Sequence, residues 1–323
     1  MNLQRFAIIL MAALLLTGCN GMAFPSPTFT ATMTLIPSTP TETPTFTSTS
    51  TPTSVRTPEP SSTATPTWVA QGPNQVKVPI LLYHHIAVSP IGSRYYVPPD
   101  KFEAEIKLLH DWGYSPITTA MLVKTITAGA SLPPRPIIIT FDDANEDNYT
   151  NAFPIMKKYG FTGILYVPFN YIGTNDYLTA DQIKEMAAAG WEVGSHSLNH
   201  SINFPTLGSA ALRSEIVDSR KKLTALLGLP ILTFAYPFGD ASGAAIDYVH
   251  FAGYIAGMGA TGYSADQGKG NLFVLQRCEI KGTDDARSMT RFLPWLGDPS
   301  FLPTNTPTST TIPTRTPKPT WTP

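Results

Sequence analysis

Cysteine is nearly absent. Cys19 and Cys278 are the only two in 323 residues, so a disulfide-stapled secreted module is excluded. Charge is sparse as well: 14% of residues are charged, the net charge is −1, and no long basic run offers a footprint for nucleic acid. No nucleic-acid partner is expected. Nor does any stretch supply the roughly 20 consecutive apolar residues of a spanning helix, so any membrane attachment is expected through lipid alone.

Proline is abundant instead. There are 31, and they gather at the flanks; from Phe24 to Ala70, 32 of 47 residues are Ser, Thr or Pro. Such composition cannot bury a core and favours extended, solvated chain. At the N-terminus, Arg5 precedes an apolar run from Phe6 to Leu16, too short to span a bilayer but suited to a secretory leader. Leu16-Thr-Gly-Cys19 resembles a bacterial lipobox, with Cys19 as the lipidated residue of the mature chain. The expected organisation is therefore a lipoprotein signal peptide at 1–19, a disordered Thr/Pro-rich stalk at 20–71, one catalytic-size domain at 72–302 and a disordered tail at 303–323. The expected location is extracytoplasmic, as a membrane-anchored bacterial lipoprotein or a secreted protein.

Within 72–302, short β-rich runs alternate with stretches of helical period, the pattern of parallel strands joined by crossover helices. Strands are expected at Val78–Tyr83, Ile137–Phe141, Gly163–Val167, Glu192–Ser195, Leu232–Ala235, Tyr254–Gly257 and Leu272–Ile280. Helices are expected at Asp100–Trp112, Thr119–Ala128, Asn148–Tyr159, Thr179–Ala189, Gly208–Leu227, Gly243–Phe251 and Asp284–Trp295. Thr179 and Gln182 make a capping-box pattern, and Gly160, Gly190 and Gly228 stand where helix-ending glycines belong. An open doubly wound sheet would alternate in the same way. What lies at the strand ends favours an α/β fold of the TIM-barrel-like kind, a distorted (β/α)7 barrel.

Four of the six histidines follow two of these strands: His84 and His85 after the first, His196 and His200 after the fourth. Asp142 and Asp143 follow the second strand, and Tyr236-Pro-Phe-Gly-Asp240 follows the fifth. In a parallel barrel the C-terminal strand ends converge, so these distant clusters should meet. The four-residue spacing of His196 and His200 lets both grip one metal if the segment coils into a helical turn. Adjacent aspartates repel and point apart, which suits two separate jobs, one oxygen ligand and one base. Two imidazoles, one carboxylate and an open position form a catalytic metal set rather than a closed structural one.

These motifs resemble the polysaccharide deacetylases of carbohydrate esterase family four, with the NodB-type homology domain, over about Val78 to Leu296. The Thr140-Phe-Asp-Asp143, His196-Ser-x-x-His200 and Phe234-Ala-Tyr-Pro-Phe-Gly239 segments carry the resemblance, and Val78-Pro-Ile-Leu-Leu-Tyr-His84 is closest to the branch of poly-N-acetylglucosamine deacetylases. The resemblance implies Asp142 as catalytic base and Asp143, His196 and His200 as metal ligands. It implies His84 as general acid, with His85 the alternative, and Arg277 as the residue orienting the base. Tyr236, Pro237 and Phe238 would line the groove, a backbone amide near Tyr236 or Phe238 stabilising the oxyanion. Ala144 departs from the family's usual glycine, and the late Leu-x-His motif is missing.

The implied cofactor is a divalent metal ion, zinc first, with cobalt, nickel, manganese or iron compatible with the same donors. The implied reaction removes N-acetyl groups from an N-acetylglucosamine-containing polysaccharide such as peptidoglycan, exopolysaccharide or chitin. An O-acetyl-xylan-type esterase and a non-catalytic surface glycan-binding module are the alternatives. Tyr83, Tyr166, Phe169, Tyr171, Tyr236 and Phe238 are candidates for stacking on sugar rings or for core packing. Cys278 is expected to pack as a small apolar residue.

Overall fold

The computed structural model describes residues 67–260 and 262–302. The leader with Cys19, the stalk as far as residue 66 and the tail lie outside the described residues. Among the described residues, no helix is long and apolar enough to cross a membrane.

Seven strands form the scaffold: β1 (Ile80–Tyr83), β2 (Pro136–Phe141), β3 (Ile164–Val167), β4 (Glu192–Ser195), β5 (Thr233–Ala235), β6 (Ala256–Met258) and β7 (Cys278–Glu279). They pair in the order β6-β5-β4-β3-β2-β1-β7, every neighbour parallel. The two ends of this curled sheet are linked by one segment. Leu275 bridges to Met258 and donates its N–H to Gly257 O at 2.8 Å, while Cys278 pairs with Leu81 of β1. A distorted (β/α)7 barrel results, as expected. The long strand expected at Leu272–Ile280 shrinks to Cys278–Glu279, because Leu272 has helical torsions (φ −55°, ψ −35°) at the end of a short turn.

Both faces of the ring are covered, which is why β1 and β2 read as unbroken apolar runs with every residue buried. Alternation sorts the side chains. Ile80, Ile138, Ile164, Tyr166, Ala235, Ala256, Met258 and Leu275 pack in one cluster, while Leu81, Ile137, Ile139, Phe141 and Val193 pack in another with Phe102, Ile106, Ile183 and Met186 of the surrounding helices. Continued beyond the strands, the row of Ile138 and Thr140 leads to Asp142. The row of Gly194 leads to His196.

The helices are α1 (Pro99–Asp111), α2 (Thr119–Ala128), α3 (Phe153–Lys158), α4 (Ala180–Ala188), α5 (Ser209–Arg213), α6 (Ser219–Leu227), α7 (Gly243–Phe251) and α8 (Ala286–Met289). The capping box forms: Gln182 N–H donates to Thr179 Oγ1 at 3.3 Å, and Thr179 N–H to Gln182 Oε1 at 2.8 Å. Two expected helices contain π turns instead of uniform α winding, at Asn148–Ala152 before α3 and at Ser214–Asp218 between α5 and α6. The last expected helix is cut to α8 and a 3-10 turn at Thr290–Phe292, since Pro294 disfavours helical torsions at Leu293. Two short antiparallel pairs were not expected: Val69–Gln71 with Ala130–Leu132, and Gln75–Lys77 with Asp266–Gly268. Val69–Gln71 falls on the stalk side of the boundary drawn from composition, so ordered pairing begins before residue 72.

Candidate active site

Asp142 leaves β2 buried, 3% exposed, and its two oxygens accept from Nη1 and Nη2 of Arg277 at 2.7 Å each. Arg277 is itself 1% exposed; its Nε donates to Gly259 O at 2.7 Å and its Nη1 to Thr140 Oγ1 at 3.2 Å, and its guanidinium lies 5.4 Å from the centre of the Tyr166 ring. Burial alone would push the Asp142 carboxyl up; Arg277 and His196 outweigh it and hold it at about 2. A carboxylate so held stays ionised throughout the neutral range.

Asp143 and Ala144 both take left-handed torsions, φ 74° and 58°. That turn directs Asp143 away from Asp142, at a cost of roughly 1–2 kcal/mol for a residue with a Cβ. The turn survives the replacement of the family's glycine by Ala144, whose carbonyl accepts from Leu178 N–H at 2.9 Å. His196 and His200 do not sit on a helical turn. Their segment is irregular backbone, with Ser197 and His200 left-handed at φ 72° and 48°. The imidazoles converge nonetheless: His200 Nε2 stands 3.4 Å and His196 Nε2 3.6 Å from Asp143 Oδ1.

These three residues fit a divalent metal ion. Their candidate ligand atoms all lie within 4.8 Å of one another, and Asp143 Oδ1 is buried without a hydrogen-bond partner. His196 Nδ1 donates to Ala235 O at 2.8 Å, which fixes the tautomer and leaves Nε2 free to ligate. Burial lowers His196 to about 3 and lowers His200 too, so both rings are neutral, as ligation requires. Burial raises Asp143 to about 6, a shift that a bound cation would oppose.

Both candidate acids reach the same cavity, of about 340 Å³. His84 packs its ring 4.7 Å from Tyr95 and has a buried Nδ1 with no partner; burial lowers its pKa, with Asp142 and Asp143 opposing the shift. His85 is fixed differently. Its Nδ1 is 2.7 Å from Asp147 Oδ2, and its ring stacks on Tyr96 at 3.9 Å. Of the groove residues expected after β5, only Phe238 faces the cavity, 56% exposed and 4.7 Å from the His200 ring. Tyr236 is a correction: it is fully buried, its hydroxyl donates to Phe273 O and its N–H to Met258 O, so it offers neither a stacking face nor a free amide. Pro237 is buried and has no N–H, which leaves the amide of Phe238 as the donor among the three. Tyr83 and Tyr166 are core residues, and Cys278 is buried.

Sequence reasoning missed four residues that line the cavity, Arg94, Tyr95, Tyr96 and Glu279. The two-residue alternation from Arg277 would have pointed to Glu279. The aromatic pair lies in an aperiodic loop that gives no such signal.

A sequence model of the family described as polysaccharide deacetylase matches residues 129–257. YxkH of Bacillus subtilis (strain 168), named as a polysaccharide deacetylase, is 31% identical over 216 residues, 67% of this chain and 75% of the relative. The chain belongs to the polysaccharide deacetylase family. The poly-β-1,6-N-acetyl-D-glucosamine N-deacetylase of Staphylococcus aureus (strain MSSA476) is 29% identical over 160 residues, 45% of this chain and only 54% of the relative. Among solved structures, the Streptococcus pyogenes deacetylase PplD in complex with acetate superposes with a TM-score of 0.64 at 26% identity, covering 68% of this chain and 98% of that one. This chain thus shares its curled parallel sheet with a solved deacetylase.

Proposed function

We propose that this deacetylase is metal-dependent, that it removes N-acetyl groups from a polysaccharide containing N-acetylglucosamine, and that it acts outside the cytoplasmic membrane. The observation that carries the chemistry is the fully buried Arg277–Asp142 pair beside the Asp143, His196 and His200 cluster. A divalent metal held by those three residues, zinc in our reading, would polarise the acyl oxygen and acidify water. Asp142, ionised by Arg277, accepts the proton of the attacking water. The Phe238 amide supports the oxyanion, a contribution of roughly 3–4 kcal/mol for such a donor in other enzymes. His84, charged against its burial through the neighbouring Asp142 and Asp143 carboxylates, donates a proton to the departing amine, and acetate and a free amino sugar result. The His85–Asp147 bond favours a second reading in which His85 is the donor, since a carboxylate on Nδ1 fixes the orientation of a ring that lines the cavity.

The substrate class is supported by the named activity of the Staphylococcus aureus relative. The location is supported by the leader and the lipobox-like Cys19, with the Thr/Pro-rich stalk as spacer. The test is acetate release from N-acetylglucosamine oligomers and from acetylated xylan, with zinc supplied. Wild type is expected to act on the N-acetyl substrate, and Asp142→Asn and His196→Ala to lose activity while staying folded. His84→Ala is expected to fall by about 10²–10⁴ in kcat, and a larger loss in His85→Ala would make His85 the acid. Turnover of xylan alone would make the protein an esterase. Glycan binding without turnover would make it a binding module.

A further inference from the structure

The loop that brings His196 and His200 together is held from behind by a residue with no part in the chemistry. Two of its residues, Ser197 and His200, are non-glycine residues in left-handed torsions, so the loop would relax unless something restrained it. Glu215 supplies the restraint. It is 6% exposed and lies in the π turn Ser214–Asp218, a widened winding that recurs at functional sites. Its Oε2 accepts from the backbone N–H groups of both Leu198 and Asn199 at 2.9 Å, and its Oε1 accepts from the Asn199 side-chain amide at 2.5 Å. One residue further on, His200 N–H donates to Ser197 Oγ at 3.0 Å. The middle of the loop is thus tied to the helix and its end is tied back to its start.

We propose that Glu215 is the positioning residue of the metal loop, fixing the backbone so that the His200 imidazole reaches Asp143. The proposal rests on Asp143, His196 and His200 being a metal centre. All three contacts to Glu215 are N–H donors, so an acceptor-only carboxylate suits the place. A glutamine there would turn an NH2 group against at least one of them. Loss of such supporting hydrogen bonds typically costs about 10–100-fold in metal affinity.

The test uses the full chain, its Glu215→Gln variant and the milder Asn199→Ala variant, which keeps both backbone contacts to Glu215 and removes the Asn199 side-chain contacts to Glu215 and Asn170. Zn²⁺ affinity is measured by competition with a chromophoric chelator, melting is followed with and without zinc, and the visible spectrum of the Co²⁺-loaded protein reports ligand geometry. Expected are a Zn²⁺ affinity lowered about 10–100-fold in Glu215→Gln and less in Asn199→Ala, a changed Co²⁺ spectrum, and a smaller rise in melting temperature on adding zinc. Turnover at saturating zinc should recover most of its wild-type value. If Glu215→Gln fails to fold, Asn199→Ala decides by the same affinity measurement. Wild-type zinc affinity in the folded variants overturns the proposal and leaves the metal centre standing. A wild-type chain that binds no zinc overturns both.

Discussion

Arg277 and Asp142 are a buried ion pair whose value lies in what each would become alone. Removing Arg277 leaves a carboxylate in the interior with its charge uncompensated, a change that costs about 3–5 kcal/mol in comparable pairs. Arg277→Gln is expected to lose about that much at pH 7 in urea denaturation of the metal-free chain. The pH dependence follows from the direction of the shift. In the wild type the Asp142 carboxyl sits at about 2, below its ordinary 3.8, so its stabilisation is complete above about pH 4 and is lost as the pH falls toward 2. In the variant, burial acts without its main opponent and raises the carboxyl above that ordinary value. The deficit should then shrink as the solution is acidified through pH 4, because protonation removes the unpaired charge. A deficit that is constant between pH 7 and pH 4 would contradict this account. The acid limb of the activity profile should move upward in the same variant, as the base becomes protonated at higher pH.

Strands position this pair as much as charges do. Gly194 in β4 leaves the space that Tyr166 of β3 fills: a Cβ there would stand 2.3 Å from Tyr166 Cε1 and 3.0 Å from Thr233 O. Tyr166 is in turn the ring beneath Arg277. Gly194→Ala is expected to cost about 1–3 kcal/mol through overpacking, seen as a lowered melting temperature. It should also reduce kcat more than zinc affinity, because the displaced ring packs against Arg277. The first two strands were the most legible in the sequence, since each is a short, mainly apolar run closed by histidines or aspartates, and Asp142, Asp143, His196 and His200 were legible because they follow expected strands. Arg277 needed the family resemblance, since one arginine in an apolar strand carries no signal of its partner 135 residues away. Tyr95, Tyr96, Asp147 and Glu215 were not legible. They act through contacts made by an aperiodic loop and by π turns, and neither leaves a repeat that spacing can reveal. The helical turn expected for His196 to His200 failed for a related reason: four-residue spacing also fits a loop bent by two left-handed residues.

For the molecule as a whole, strand pairing extends further toward the N-terminus than composition suggests. Val69–Gln71 looks like the end of the Thr/Pro tract, yet it pairs in register with Ala130–Leu132. A chain truncated to begin at Gly72 is therefore expected to melt at a lower temperature than one beginning at Thr67, by about 2–4 °C for each kcal/mol lost. Equal melting temperatures would show that the ladder adds nothing. The stretch from Leu272 to Glu279 has a wider consequence. It joins the two ends of the sheet, and it carries Arg277 to Asp142, which left the ribosome long before it. Every candidate metal ligand precedes residue 201, so a nascent chain can hold the candidate ligand set while Asp142 still lacks Arg277. The pairing that holds Asp142 ionised therefore arrives only with the last strand, and a chain stalled or cut short before residue 277 lacks it.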